Sequence, residues 1–204
     1  MRRPSRRTLL LAGGAGLVLG LLVTGGWFWQ AATERQAQTA YAAALVTAAA
    51  AQATPEARAA AIRELESVLA RYPSGAGAAQ AAYTLGNLRY AAGAYAGARG
   101  AWEIALARAA GAPTLRTLAR ASIGYAWEAE RKYGSAAEAY RAALAGLQPK
   151  DFLYEQLLVS LGRVQEVTGQ KAEAVATYRR VLAEVPQARQ ADQVRARLLA
   201  LGAS

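Results

Sequence analysis

Residues 123–144 have the sequence IGYAWEAERKYGSAAEAYRAAL, in which apolar and small side chains recur at helical spacing. Two sets of three positions carry the pattern: Ile123, Gly124 and Trp127 in a first helix, and Ala136, Tyr140 and Ala143 in a second. The second set has the i, i+4, i+7 spacing of one helix face. The sequence therefore predicts two short helices folded back on each other, with the turn at Lys132–Ser135.

The same markers recur at a fixed interval of 38 residues. They are a glycine (Gly86, Gly124 and Gly162), an alanine (Ala98, Ala136 and Ala174) and an aromatic residue (Trp102, Tyr140 and Tyr178). A fixed period of about 20–50 residues is typical of stacked repeat arrays. We expect the small residues where the helices of one hairpin approach closely, and the aromatic residues to join neighbouring hairpins. Since one hairpin cannot bury its own apolar face, each needs neighbours.

These motifs resemble the tetratricopeptide repeat (TPR) family, whose pattern is W-x2-L-G-x2-Y, then A-x3-F, then P. Three units match: Leu85-Gly86, Ala98-x3-Trp102 and Pro113; Ile123-Gly124, Ala136-x3-Tyr140 and Pro149; Leu161-Gly162, Ala174-x3-Tyr178 and Pro186. The resemblance implies an all-α fold, a TPR-type α-solenoid. Its clear units are expected at about 79–113, 117–149 and 155–186, with a degenerate unit at about 41–73 and a C-terminal cap at 187–201.

The N-terminal residues have the pattern of a membrane anchor. Four arginines precede an uncharged run of 22 residues, from Thr8 to Trp29, that would be about 33 Å long as a helix. Trp27, Phe28 and Trp29 close the run as an interfacial aromatic belt does. Arginine-rich flanks stay in the cytoplasm. The predicted order is a basic cytoplasmic tail (1–7), a single transmembrane helix (8–29), a juxtamembrane helix (30–53) and an outward-facing TPR-like domain (54–204).

Other interpretations of this segment stay open. Thr24-Gly25-Gly26 is a poor signal-cleavage site, and cleavage after Gly26 would release the domain. Ser5–Leu10 resembles a twin-arginine export signal but lacks its usual Phe and Lys. A stripe of small residues, four apart, is expected either to contact another transmembrane helix or simply to reflect how common glycine is in such helices. Its members are Ala12, Gly16, Gly20 and Thr24.

The composition argues against several functions. The chain has no histidine and no cysteine, which removes the usual metal ligands, thiol nucleophiles and disulfides. The sequence contains no nucleophile elbow and no phosphate-binding loop. We therefore predict no enzyme activity, no cofactor and no metal. Although the net charge is +10, four arginines lie in the tail and the other charges are dispersed, so we expect no nucleic-acid partner.

Binding of other proteins is the predicted function. First helices of stacked hairpins line a concave wall, and in TPR domains that wall takes peptides or a partner's helix. The wall-facing candidates are Gln80, Tyr83, Asn87, Tyr90, Tyr125, Glu128, Gln156, Arg163 and Glu166. The three tyrosines with Asn87 form the predicted recognition surface, because tyrosine gives contact area at low entropic cost. The alternative is that these tyrosines are ordinary packing between helices.

The order of basic tail, single crossing and small TPR domain resembles the YfgM-like family of ancillary Sec translocon subunits. The resemblance implies a scaffold in the bacterial inner membrane, with a periplasmic domain that docks chaperones or clients. One alternative is a TPR subunit of another membrane complex, such as respiratory or cytochrome-assembly machinery. Others are a periplasmic cell-envelope adaptor released by cleavage, and a cytoplasmic-facing nucleic-acid or regulatory binder with inverted topology. In the anchored cases the bilayer is itself a partner, through residues 8–29.

Overall fold

The computed structural model describes residues 6–51 and 54–203, with side chains for residue 22 and from residue 24 onward within these ranges. This part of the chain forms nine α-helices: α1 (Arg6–Ala50), α2 (Pro55–Arg71), α3 (Ala78–Ala91), α4 (Tyr95–Arg108), α5 (Pro113–Ala129), α6 (Tyr133–Leu144), α7 (Tyr154–Val167), α8 (Lys171–Glu184) and α9 (Ala191–Ala200). Each helix packs against the next, α1 also contacts α3, and α3 contacts α5. The chain is therefore an all-helical solenoid, as predicted.

Helix α2 begins at a complete N-terminal signal. Thr54 has extended backbone (φ −136°), and its Oγ1 accepts a hydrogen bond from the N–H of Ala57 at 3.1 Å. Pro55 occupies the first turn and Glu56 adds a negative charge there. The cap satisfies a backbone N–H that a helix N-terminus otherwise leaves unpaired.

An aromatic ring lies against a glycine in each clear helix pair. A Cβ atom built on Gly162 would lie 2.6 Å from Cε1 of Tyr178, far inside van der Waals contact. Cβ atoms on Gly86 and Gly124 would overlap the rings of Trp102 and Tyr140 in the same way. The predicted close approach is therefore confirmed, and its cause is the partner helix's aromatic ring. We call these the glycine–aromatic contacts.

The degenerate pair of α1 and α2 replaces both members of this contact. Ala48 lies 38 residues before Gly86, and Leu65 occupies the aromatic position of α2. Both side chains are buried in one cluster with Ala44 and Ala61. The added methyl group on α1 is thus accompanied by a smaller side chain on α2.

The turn between α5 and α6 differs from the predicted Lys132–Ser135. Helix α5 ends at Ala129 and α6 begins at Tyr133. Gly134 and Ser135, which are common in turns, lie in the first turn of α6. The reversal is made instead by Arg131, which adopts left-handed backbone (φ 60°).

The C-terminal helix also begins later than predicted. Helix α9 starts at Ala191, because residues 187–190 form a turn in which the N–H of Gln190 donates to a carboxylate oxygen of Glu155 at 2.7 Å. Val194 and Leu198 of α9 are buried against α7 and α8. They cover the last apolar surface, as a terminal cap must.

Helix α1 continues without interruption past residue 29 and ends at Ala50, so no break separates residues 8–29 from 30–50. Ala37, Tyr41 and Ala44 of its C-terminal half are buried against the solenoid. The ring of Tyr41 fills the space left by Gly77, and its hydroxyl donates to the carbonyl of Tyr72. The first helix is therefore fixed to the domain.

The N-terminal half of α1 carries three exposed aromatic side chains, Trp27, Phe28 and Trp29. No helix in the described part of the chain is both long and apolar enough to cross a membrane. The predicted span at 8–29 falls mostly on residues 8–21 and 23, whose side chains lie outside that part. The predicted helix-contact residues Ala12, Gly16 and Gly20 lie outside it too, whereas Thr24 is exposed.

Candidate functional site

The first helices of the three clear pairs, α3, α5 and α7, carry all nine predicted wall residues. Gln80, Asn87 and Gln156 are exposed, and the other six are half-buried. Each of these six half-buried side chains is held by its neighbours and still has an accessible surface. Along the chain, the tyrosines of the wall come first and its charged residues follow.

Aromatic residues of the second helices hold the polar groups of the wall. Nε1 of Trp102 donates to Oδ1 of Asn87 and to the carbonyl of Tyr83, each at 3.2 Å. The hydroxyl of Tyr140 donates to Oε2 of Glu128 at 2.7 Å. The hydroxyl of Tyr178 donates to Oε2 of Glu166 at 3.1 Å. Each ring thus covers a glycine and fixes an acceptor on the wall.

Arginines complete the two tyrosine–glutamate pairs. Arg163 forms an ion pair with Glu128, and Arg197 reaches Oε1 of Glu166 at 3.3 Å. Each arginine comes from a following first-position helix, α7 or α9, so the contact joins successive units. Glu128, Arg163 and Glu166 are therefore engaged within the chain. Their predicted role in partner binding stays a prediction.

Burial makes these hydroxyls poor acids. It raises the pKa of Tyr140 well above its ordinary value, and the neighbouring Tyr125 adds to the effect. Burial, followed by the hydrogen bond to Glu166, raises the pKa of Tyr178 to about 12. Both side chains are therefore neutral hydrogen-bond donors at ordinary pH.

The N-terminal half of the wall contains an open recess of about 230 Å³, lined by Asn87, Tyr90, Trp102, Ser122 and Tyr125. We call it the aromatic recess. The ring of Tyr90 packs on Tyr95 (5.2 Å between centroids) and Trp102 (5.9 Å). The ring of Tyr125 lies 5.5 Å from Tyr140. Its lining contains no formal charge, so it combines apolar ring surface with amide and hydroxyl groups.

Burial also raises the pKa of Tyr125, and hydrogen bonds with Ser160 and Gln156 lower it in part. The side chain of Gln156 reaches Oγ of Ser160 at 3.5 Å and accepts from Gln190 Nε2 at 3.1 Å. Tyr125 therefore stands between the aromatic recess and the polar third unit.

Two lining residues of the recess were absent from the predicted wall, Trp102 and Ser122. Trp102 was assigned to packing alone; its ring is almost completely buried, yet it forms part of the lining of the recess. Ser122 belongs to a row of small hydroxyl residues that keeps the 38-residue interval, with Thr84 and Ser160. That row was a usable signal, because small side chains between large rings leave space for a ligand.

Neither a protein-family model nor a curated protein matches the chain. A solved structure matches: a Podosopora anserina chain assigned as a kinesin light chain and described as nearly identical TPR-like repeats. The TM-score is 0.56 at 18% sequence identity, and the match covers 82% of this chain and 92% of that chain. At this identity the likeness establishes the fold alone. The chain is a TPR-like α-solenoid.

Proposed function

We propose that this protein is a membrane-tethered, outward-facing scaffold whose concave wall binds other proteins and performs no chemistry. The observation that carries the proposal is the aromatic recess. It is open on the wall, and tyrosine, tryptophan and asparagine side chains line it. Aromatic residues of this kind supply most of the binding energy at protein interfaces. The third unit, by contrast, uses its charges within the chain.

The chemistry of the recess suits one large apolar side chain of a partner segment. Ring faces of Tyr90 and Tyr125 can pack on such a side chain, and Asn87 and Ser122 can hydrogen-bond the backbone on either side of it. The wall here lacks a cluster of basic residues, so a terminal carboxylate is a poor fit. The expected partner segment is therefore a helix or extended peptide with an exposed apolar or aromatic residue.

The tether is supported by the exposed aromatic residues of α1 and by the arginines that precede the uncharged run. The unbroken course of α1 past Gly26 favours a retained anchor over release by cleavage. Chaperones, their clients or subunits of a membrane complex are the proposed partners. The layout favours a place beside the Sec translocon, and a subunit of respiratory or cytochrome-assembly machinery is the second candidate.

Site-specific photocrosslinking tests the binding wall. A photoreactive phenylalanine analogue at Tyr125 is expected to capture a partner in intact cells, whereas the same analogue at Glu138, exposed on second helix α6, captures none. Tyr125→Ala is expected to weaken partner capture, about tenfold or more, by more than it lowers the melting temperature, although loss of the packing on Tyr140 also costs stability. Crosslinks of equal yield at both positions would refute a specific site on the wall.

Two cheap measurements test the tether independently. Protease added to intact spheroplasts should degrade the domain if it lies outside the cytoplasm and should leave it intact otherwise. N-terminal sequencing of the mature chain should recover the start of the arginine-rich tail. A mature N-terminus at Trp27 would replace the tethered scaffold with a released adaptor.

A further inference from the structure

The loops that join successive helix pairs lie along one edge of the solenoid. Short turns make the helices of each pair antiparallel, so the chain returns to the same edge at residues 72–77, 109–112, 145–153 and 185–190. We call this the loop edge. Its first loop contacts α1, since the N–H of Ala76 donates to Glu34 Oε1 at 2.9 Å. Trp29 lies five residues before Glu34, about 8 Å along the helix.

Each loop of this edge has an exposed basic side chain in it or at the end of the helix before it. They are Arg71, Arg108, Lys150 and Arg189. None of the four forms an ion pair within the residues the structure describes. Three carboxylates at this edge, those of Glu34, Asp151 and Glu155, accept hydrogen bonds from backbone N–H groups, and Glu184 pairs with Arg180 at 3.0 Å. Because a neutral N–H does not cancel the charge of a carboxylate, the four cations exceed these three acids by one. The loop edge therefore carries a small excess of positive charge.

The third loop adds an exposed aromatic residue, Phe152, whose relative exposure is 79%. A cleft of about 390 Å³ lies on one side of it, lined by Pro113, Thr117 and Leu147 among others. A second cleft, of about 710 Å³, is lined by Phe152 together with the cations Lys150 and Arg189 and the acids Asp151 and Glu155. An exposed aromatic side chain close to cations is a feature of surfaces that enter a lipid interface.

We infer that the loop edge lies on an anionic lipid surface, with Phe152 among the headgroups and the four cations against lipid phosphates. The inference rests on the proposed tether, because α1 brings this edge beside the aromatic residues that mark the bilayer surface. Each cation near such a surface shifts the equilibrium from water to the membrane surface by about fivefold. The concave wall then opens sideways, along the membrane.

The chain has no cysteine, so a single introduced one carries a label uniquely. Phe152→Cys and Lys171→Cys are labelled with an environment-sensitive fluorophore in the full chain; Lys171 is exposed at the opposite edge, where α8 begins. Each protein is placed in nanodiscs of phosphatidylcholine alone, or mixed with phosphatidylglycerol, that contain a headgroup-region quencher. Quenching is expected at position 152 in the mixed discs and absent at position 171. The double substitution Lys150→Gln and Arg189→Gln should lower about 25-fold the ratio of molecules whose loop edge is bound to lipid to molecules whose loop edge is unbound.

The outcomes separate the edge from the tether. Equal quenching at both positions, or none at 152 in mixed discs, overturns the inference and leaves the tether intact. If the chain fails to float with phosphatidylcholine vesicles, the tether fails; the edge then stands only if phosphatidylglycerol vesicles still quench position 152. A response of that label to duplex DNA but not to phosphatidylglycerol would make the edge a nucleic-acid surface and overturn the lipid assignment.

Discussion

Gly124→Ala tests whether the glycine–aromatic contacts hold the solenoid together. The new methyl group would lie 2.6 Å from Cδ1 and 3.1 Å from Cζ of Tyr140. The ring cannot retreat easily, because it is fully buried in a cluster with Leu157, Leu161 and Val164. It would have to leave its rotamer or push α5 and α6 apart.

The expected cost follows from three terms. Overpacking of a buried site costs about 1–3 kcal/mol. Displacing the ring weakens the hydrogen bond from Tyr140 to the Glu128 carboxylate, a class of bond worth about 1.5–3 kcal/mol. Alanine returns about 1 kcal/mol through its better helix propensity. The net expectation is a loss of about 2–4 kcal/mol, a large share of a stability of about 5–15 kcal/mol.

Urea unfolding of the full chain in detergent, followed by circular dichroism, measures this loss. Gly100→Ala is the matched control, because Gly100 lies inside α4 and a Cβ there would meet nothing within 4 Å. That control should gain about 0.5–1 kcal/mol. In a Tyr140→Leu background, Gly124→Ala should become nearly neutral. If Gly124→Ala stabilises the wild-type chain as Gly100→Ala does, the reasoning from steric overlap is refuted.

The remaining predictions concern the turn, the wall and alkaline pH. Arg131→Gly should stabilise the chain by about 1 kcal/mol, because it relieves left-handed backbone that Gly93 and Gly169 adopt freely in the equivalent turns; an unchanged urea midpoint would contradict this. Arg163→Ala should cost less than about 1 kcal/mol, since its ion pair is partly exposed, whereas Tyr140→Phe should cost about 1.5–3 kcal/mol; equal costs would contradict the ranking. Since the pKa of Tyr178 is raised to about 12 from the ordinary value of 10.0, the unfolded chain loses this proton first, so stability should fall between those two pH values. Tyr178→Phe should remove that part of the alkaline loss in a pH series of melting temperatures, and an identical series would refute the contribution.

The fold could be predicted because its determinants are local and periodic. Gly86, Gly124 and Gly162 with their aromatic partners repeat at one interval, and an interval of that size has few structural solutions. The turn at Arg131 was missed because arginine gives no signal for left-handed backbone. The interval itself contained the missing information, since Gly93 and Gly169 lie 38 residues to either side of Arg131.

The candidate site was harder to predict, because a side chain's exposure says little about whether its polar atoms are already paired. Glu128 and Arg163 have the composition of a binding wall, yet they lie 35 residues apart in sequence and meet only when two units stack. The period predicts which face each residue occupies. It does not predict which residue of the neighbouring unit will form an ion pair with a charged side chain.

Helix α1 passes from the exposed tryptophans into the buried residues Ala37 and Tyr41 with no hinge between them. A continuous helix of this kind couples the orientation of its two ends, which a flexible linker does not. A contact that fixes the orientation of its N-terminal turns therefore also fixes the orientation of the domain. A ligand can then bind the wall only from the directions that this orientation leaves accessible.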